Sequence, residues 1–317
     1  MLAQGQPVAY DRLVLATGGR ARKPDIPGSS LDGVYTLRCL DDAARLRGVL
    51  QPGRRLLVVG GGWIGLEVAA TARRLGLQVS LIESGSRLCA RSVPASVSGY
   101  LLGLHRRQGV EVHLGGAVTA IERAHGDGPL RVHTHVGLHE TDAVVFGIGL
   151  EPDTALARAC GLQVDNGIVV DACGQTSDPA IYAVGDVANQ PCAWLGAPPD
   201  TRLRMESWAN AQNQGIALGA ALAGKAMPQQ DIPWFWSDQY DVNLQVLGVP
   251  SEAGVHVLRG SVDDGKFCLF QLMDDRLHAV VAVNMAKELK LAKRWLKQGR
   301  CPGHVELQNP AVRLDRL

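Results

Sequence analysis

Three glycines, Gly60, Gly62 and Gly65, interrupt the run from Leu56 to Glu83 at a spacing that can hold a diphosphate. Leu56, Leu57, Val58 and Val59 precede them, a helical pattern follows to Leu75, and Gly76 breaks it before a second apolar run. In a strand, turn and helix the glycines have separate duties. Gly60 permits the tight turn, Gly62 lets a pyrophosphate approach the backbone, and Gly65 lets the helix pack closely on the strand. The helix start then presents free N–H groups and the positive end of its dipole to the phosphates. Glu83 closes the second strand at about the twenty-residue spacing expected of a ribose acid. A carboxylate there accepts both ribose hydroxyls and repels a 2'-phosphate, so NADH is expected over NADPH. Arg87 lies near enough in sequence to weaken that preference.

The elements that position these residues belong to a large α/β chain. At 317 residues there is room for two or three domains with substantial cores. The 32 basic and 31 acidic residues balance, which gives no global field toward nucleic acid or a membrane surface. Seven cysteines (Cys39, Cys89, Cys160, Cys173, Cys192, Cys268, Cys301) are dispersed, without CxxC or metal-ligand spacing. The opening residues carry no signal-peptide pattern, and charge or glycine breaks every apolar run short of a membrane span. A reducing, cytoplasmic setting is expected.

In chain order, Leu13, Val14 and Leu15 form a strand that ends in the small-residue turn Ala16-Thr17-Gly18. Pro24, Pro27 and Gly28 mark a crossover, and Arg38 precedes a short helix with an acidic first turn at Asp41 and Asp42. A helix is expected over 94–108, then strands over 110–114, 118–123, 130–135 and 143–146. His133, His135 and His139 lie close together, but no carboxylate or cysteine completes a tetrahedral set, so a solvated strand face is expected and no metal. Gly147-Ile148-Gly149 repeats the earlier small-residue turn. The strand from Ile181 stops at Gly185-Asp186, where an acid at a carboxyl end can accept from ligand hydroxyls or cap the next segment. A helix then runs from near Ala209 to Leu222. The aromatic cluster Trp234-Phe235-Trp236 opens a last α+β domain with strands over 244–247, 255–259, 266–272 and 277–283 and a helix over 286–296.

The order of the NAD fingerprint, Gly185-Asp186, Glu206-Ser207-Trp208-x-Asn210-Ala211-Gln212-Asn213-Gln214 and Trp234-Phe235-Trp236-Ser237-Asp238-Gln239-Tyr240 resembles the FAD-dependent NADH:ferredoxin reductases of bacterial aromatic-ring dioxygenase and cytochrome P450 systems. The likeness runs from Tyr10 to about Trp295. It implies two Rossmann-like dinucleotide-binding domains, the FAD one incomplete, and a small C-terminal α+β domain. The divisions are 1–52 with 148–232 for FAD, 53–147 for NAD and 233–317 for the last domain. In that family an N-terminal βαβ unit with its own glycine fingerprint precedes the Ala-Thr-Gly turn, and nothing of that kind precedes Tyr10. The expectation is therefore a chain lacking roughly the first quarter of the usual length. The implied activity passes electrons from NADH through FAD to a [2Fe-2S] ferredoxin, in aromatic hydrocarbon catabolism.

By the same resemblance, Gly60, Gly62, Gly65, Glu83 and Gly149 line NAD, with Glu67 and Arg91 along the nicotinamide half. Thr17, Gly18, Arg38, Asp186 and Trp208 line FAD, and Asp238 and Gln239 close over the flavin. Glu67 and Trp208 are the implied catalytic residues. Residue by residue, Glu67 also reads as an ordinary first-turn helix acid, Arg91 as a solvated loop residue and Arg38 as a surface arginine. Gln175 stands where the family pattern suggests an arginine. Lys287, Lys290, Lys293, Arg294 and Lys297 recur at helical spacing, as a stripe facing an acidic ferredoxin or a solvated face. Two rivals stay open: another enzyme of the same superfamily, such as a disulfide reductase or NADH oxidase, and a non-catalytic NADH-binding remnant.

Overall fold

The computed structural model describes residues 5–124, 126, 128–192, 201–226 and 231–317. They form two compact units, Met1–Arg20 with Glu151–Phe235 and Ala21–Leu150 with Trp236–Leu317.

The larger unit is built on a five-stranded parallel sheet in the order Val34–Thr36, Ala143–Phe146, Arg55–Val59, Gln78–Glu83, Val110–Leu114. Leu56 to Val59 and Ala143 to Phe146 are buried without interruption, as continuous apolar runs are when both faces of a parallel sheet are covered. The Trp63–Arg74 helix crosses between two of these strands and buries Leu66, Ala69, Ala70 and Ala72, small residues that let it lie close to the sheet. The Ala95–Arg107 helix makes the next crossover.

A three-stranded antiparallel sheet, Val118–Arg123, Leu130–Thr134 and Gly137–Thr141, follows. The sequence reading omitted its third strand, because Leu138, His139 and Glu140 lack a clean alternation and only pairing with the neighbour makes them a strand. Here His133 faces Glu122 at 3.2 Å and His139 packs edge-on against His113.

The C-terminal part of this unit is an antiparallel sheet in the order Trp234–Gln239, Val242–Leu247, Arg276–Val283, Lys266–Met273, Val255–Ser261. The Ala286–Gln298 helix packs on it through Leu289, Ala292 and Trp295 and ends at Gly299, whose φ of 63° suits a left-handed cap. The aromatic cluster is thus an edge strand. Its alternation is masked because large and polar side chains occur on both faces.

In the smaller unit Leu13–Leu15 and Ile181–Ala183 are parallel neighbours, with Leu15 opposite Ala183. A core of Leu15, Leu162, Ile168, Ile181, Ala183 and Val187 surrounds them. The expected strand through Ala188 is broken instead. Gly185 takes φ 78°, Gly185–Val187 form a single 3-10 turn, and Ala188–Pro191 start a separate strand.

Candidate dinucleotide-binding site

The turn after Val59 is shaped by contacts that leave no room for side chains. Gly60 has φ 107°, and a Cβ there would lie 2.4 Å from the Gly147 carbonyl oxygen. A Cβ on Gly65 would lie 2.0 Å from the Gly60 carbonyl oxygen, so the helix packs on the turn at backbone distance. Gly62 differs. It is the N-cap of the Trp63–Arg74 helix with φ −83°, and an added Cβ would meet nothing nearer than the Gly147 oxygen at 3.9 Å. Nothing in the protein requires a glycine at 62; the open side is where a ligand would need the space. The helix also has no side-chain cap and no acid in its first turn, which leaves its positive end for an anion.

Glu83 stands at the end of the adjoining strand, and the backbone holds its carboxylate. Oε2 accepts from the Gly61 N–H at 2.6 Å and Oε1 from the Gly85 N–H at 2.6 Å. An ionised carboxyl group has about four acceptor positions, so hydroxyls of a ribose can be taken in addition. Arg87 is spent elsewhere. It donates to the Val93 and Ala90 carbonyls and to Ser98 Oγ, and it pairs with Glu252 at 3.0 Å. The guanidinium therefore ties the loop after Glu83, and the expectation that it weakens discrimination against a 2'-phosphate finds no support in its geometry.

One turn into the helix, Glu67 Oε1 accepts a 2.6 Å hydrogen bond from Ser237. Burial raises the proton affinity of Glu67 above the ordinary carboxylate range and nearby Asp238 adds to this, while the Ser237 bond opposes both. Gly149 takes φ 107°, and a Cβ there would approach the exposed Arg91 guanidinium at 3.7 Å. The Gly147 to Gly149 turn is joined to the fingerprint by the Gly147 N–H bond to the Val59 carbonyl at 2.7 Å.

Strand alternation separates Asp238 from Gln239. Asp238 is exposed and accepts from Asn243 at 2.7 Å. Gln239 points the other way, is 2% exposed, and uses its amide on His105 and Ser237. The two cannot close over one ligand together, which corrects the expectation for Gln239. Arg38 is exposed, and its backbone N–H caps toward Asp42. Sequence reasoning missed Ser237 and His105 as neighbours of this site, since nothing local in either segment signals the contact.

In the smaller unit, Ala16-Thr17-Gly18 and Gly185-Asp186 leave the carboxyl ends of adjacent parallel strands, the edge at which α/β sheets take ligands. Thr17 Oγ1 donates to the Asp153 carbonyl at 2.7 Å, and the Asp153 N–H returns a bond to Gly18. The Trp208–Leu222 helix is capped by Ser207 and packs against the same turn, with Gln214 Oε1 accepting from the Gly185 N–H at 2.6 Å. Trp208 opens that helix and is 66% exposed. Thr17, Gly18, Asp186 and Trp208 are thus carried by one assembly of backbone bonds. Among the described residues no group of three or more His, Cys, Asp or Glu side chains is placed to hold a metal ion, and no helix is long and apolar enough to cross a membrane.

Residues 2–215 match the family described as pyridine nucleotide-disulphide oxidoreductase, and residues 234–317 match the family described as reductase C-terminal. The ferredoxin--NAD(+) reductase component of the anthranilate 1,2-dioxygenase system of Burkholderia cepacia is 41% identical over 314 residues, 99% of this chain and 76% of that protein. Rhodocoxin reductase of Rhodococcus erythropolis is 41% identical over 297 residues, 93% of this chain and 68% of that protein. Among solved structures, the covalent putidaredoxin reductase-putidaredoxin complex superposes with a TM-score of 0.93 at 37% identity, covering 99% of this chain and 76% of that one. The ferredoxin reductase for the CYP199A2 system from Rhodopseudomonas palustris gives 0.92 at 35% identity, with 99% and 77% covered.

Proposed function

We infer that this chain, which belongs to the pyridine nucleotide-disulphide oxidoreductase family and carries a reductase C-terminal domain, is an NADH-dependent flavoprotein reductase of a [2Fe-2S] ferredoxin. One observation carries the NADH half: an uncapped helix start at Gly62, open to a diphosphate, stands beside the backbone-held carboxylate of Glu83. Gly60 and Gly65 set that turn, and Gly149 and Arg91 extend it toward the nicotinamide, where Glu67 would accept from the ring's amide. When bound, FAD supplies the conversion of a two-electron donor into single electrons. Thr17, Gly18, Asp186 and Trp208 are its proposed holders in the smaller unit, and Arg38 and Asp238 are proposed on the family resemblance. Residues 53–147 are the proposed NAD domain, 1–52 with 148–232 the FAD domain and 233–317 the C-terminal one.

The ferredoxin would meet basic side chains. Lys287, Lys290, Arg294 and Lys297 are exposed along one face of the Ala286–Gln298 helix, and a positive face steers an acidic partner. All seven cysteines are free thiols, which supports a reducing, cytoplasmic place of work. The test is the visible spectrum of the purified chain under argon, supplemented with FAD, before and after NADH and then after oxidised [2Fe-2S] ferredoxin. A flavin band bleached by NADH and restored by ferredoxin is expected. Protein that binds NADH but leaves bound flavin oxidised refutes the reductase reading.

A further inference from the structure

A line of side-chain hydrogen bonds leads from Glu67 into the interior of the larger unit. Ser237 Oγ lies 2.6 Å from Glu67 Oε1, Gln239 Nε2 lies 3.0 Å from Ser237 Oγ, Gln239 Oε1 lies 2.8 Å from His105 Nε2, and the Tyr240 hydroxyl lies 3.2 Å from His105 Nδ1. The proton order follows from the carboxylate end. An ionised carboxylate only accepts, so Ser237 gives its single proton to Glu67 and accepts from Gln239. That turns the Gln239 amide nitrogen toward Ser237 and its oxygen toward His105, which must then donate from Nε2. The neutral imidazole is left with Nδ1 as an acceptor, and the Tyr240 hydroxyl donates to it. Every proton along the line points toward Glu67.

The interior keeps this order fixed. His105, Ser237 and Gln239 are at most 2% exposed, so water does not compete for their bonds. Burial lowers the proton affinity of His105, which stays neutral, and pushes the Tyr240 phenol up to about 12. Tyr240 also holds φ 58°, a left-handed conformation that is rare for a bulky residue.

We propose that His105, Gln239 and Ser237 are positioning residues for Glu67: together they aim one hydroxyl proton at Oε1, which keeps the carboxylate ionised and in one orientation, with Oε2 left to accept from the amide of a nicotinamide. The role for Oε2 rests on the reading of Glu67 as a nicotinamide neighbour; the proton order does not. Such a device has a physical purpose. Burial and Asp238 drive Glu67 toward its protonated form, which would donate where an acceptor is needed, and the Ser237 bond is the opposing influence. The other ionisable group placed against Glu67 is the buried Cys89 thiol, itself beside Glu83 and Arg87.

The experiment is an NMR titration of the full chain labelled with carboxyl-¹³C glutamate, in which Glu67 is assigned by its loss in Glu67→Gln. Removing a charge-assisted hydrogen bond changes proton affinity by roughly ten- to hundredfold. Ser237→Ala is expected to raise the Glu67 midpoint by that amount, and Ser237→Thr to restore it. Gln239→Glu, whose second oxygen competes for the Ser237 proton, should raise it as well. In ¹⁵N-histidine spectra His105 should carry its proton on Nε2 through the neutral range. An unchanged Glu67 midpoint in Ser237→Ala, or a proton on Nδ1 of His105, overturns the proposal. Absence of NADH binding by the unmodified chain would instead remove the functional reading and leave the titration interpretable.

Discussion

Gly62 and Gly65 lie one helical turn apart, yet their replacement by alanine should fail in different ways. At Gly62 the backbone φ of −83° suits any residue and the added methyl has no neighbour closer than 3.9 Å. Alanine is a poorer N-cap than glycine by about 0.5–1 kcal/mol, and the loss of unfolded-state freedom returns about 0.4–1 kcal/mol. The fold should therefore be unchanged within about 0.5 kcal/mol. The same methyl occupies the space in which a pyrophosphate oxygen would reach the backbone, and forfeiting one charge-assisted hydrogen bond costs about 1.5–3 kcal/mol. That corresponds to roughly a ten- to hundredfold weaker Kd for NADH. At Gly65 the built Cβ sits 2.0 Å from the Gly60 oxygen, so strand or helix must move. Overpacking costs about 1–3 kcal/mol, against about 1 kcal/mol gained in helix propensity. Gly65→Ala should thus lower Tm by several degrees, at about 2–4 °C per kcal/mol for a chain of this size. Calorimetric titration with NADH and thermal melts of both variants give the comparison. If Gly62→Ala binds NADH within threefold of the unmodified chain, or melts as early as Gly65→Ala, the assignment of open space at 62 to a diphosphate is wrong.

Three further outcomes follow from the same geometry. Arg87→Ala should destabilise the loop by about 1–3 kcal/mol through its lost carbonyl and Ser98 bonds, while the ratio of kcat/KM for NADH and NADPH stays within threefold; a larger gain or loss of NADPH use would show that the guanidinium does reach the ribose. Burial lowers the folded-state proton affinity of His105 below that of the unfolded chain, near 6.5. The unfolded state then binds more protons between the two values, so the stability His105 contributes is complete above about 6.5 and is lost as pH falls toward the folded value. His105→Gln should flatten the fall of Tm on acidification but not abolish it, because His139 and His278 are shifted the same way by burial; an unaltered slope would count against a buried neutral His105. Reversal of the basic face by Lys290→Glu with Arg294→Glu should raise the apparent KM for ferredoxin several-fold at low ionic strength, with the difference shrinking as salt screens the field; equal KM values at low salt would remove that face from docking.

What could be read from the residues was whatever one segment decides alone. The runs Leu56 to Val59 and Ala143 to Phe146 are apolar throughout because both faces of their strands are covered, and the glycine spacing after Val59 reports a turn made almost entirely of local backbone contacts. The Gly185 turn was legible as a stop, though not as a 3-10 turn, because its shape depends on a bond from the Gly185 N–H to Gln214, which sits on a later helix. Arg87 shows the limit most clearly. Its position four residues past Glu83 suggests a phosphate ligand, and only the fold reveals Val93, Ser98 and Glu252 as its partners. Gln239 shows the same limit in a strand: Trp236 and Asp238 face outward, so a neighbour in sequence necessarily faces inward, and no pattern in a run of aromatic and polar residues states which face is which. The Ser237 bond to Glu67 joins positions 170 residues apart. A serine inside an aromatic edge strand and a glutamate in a helix turn each have ordinary local explanations, and it is the low-dielectric interior between them that makes their single shared proton consequential.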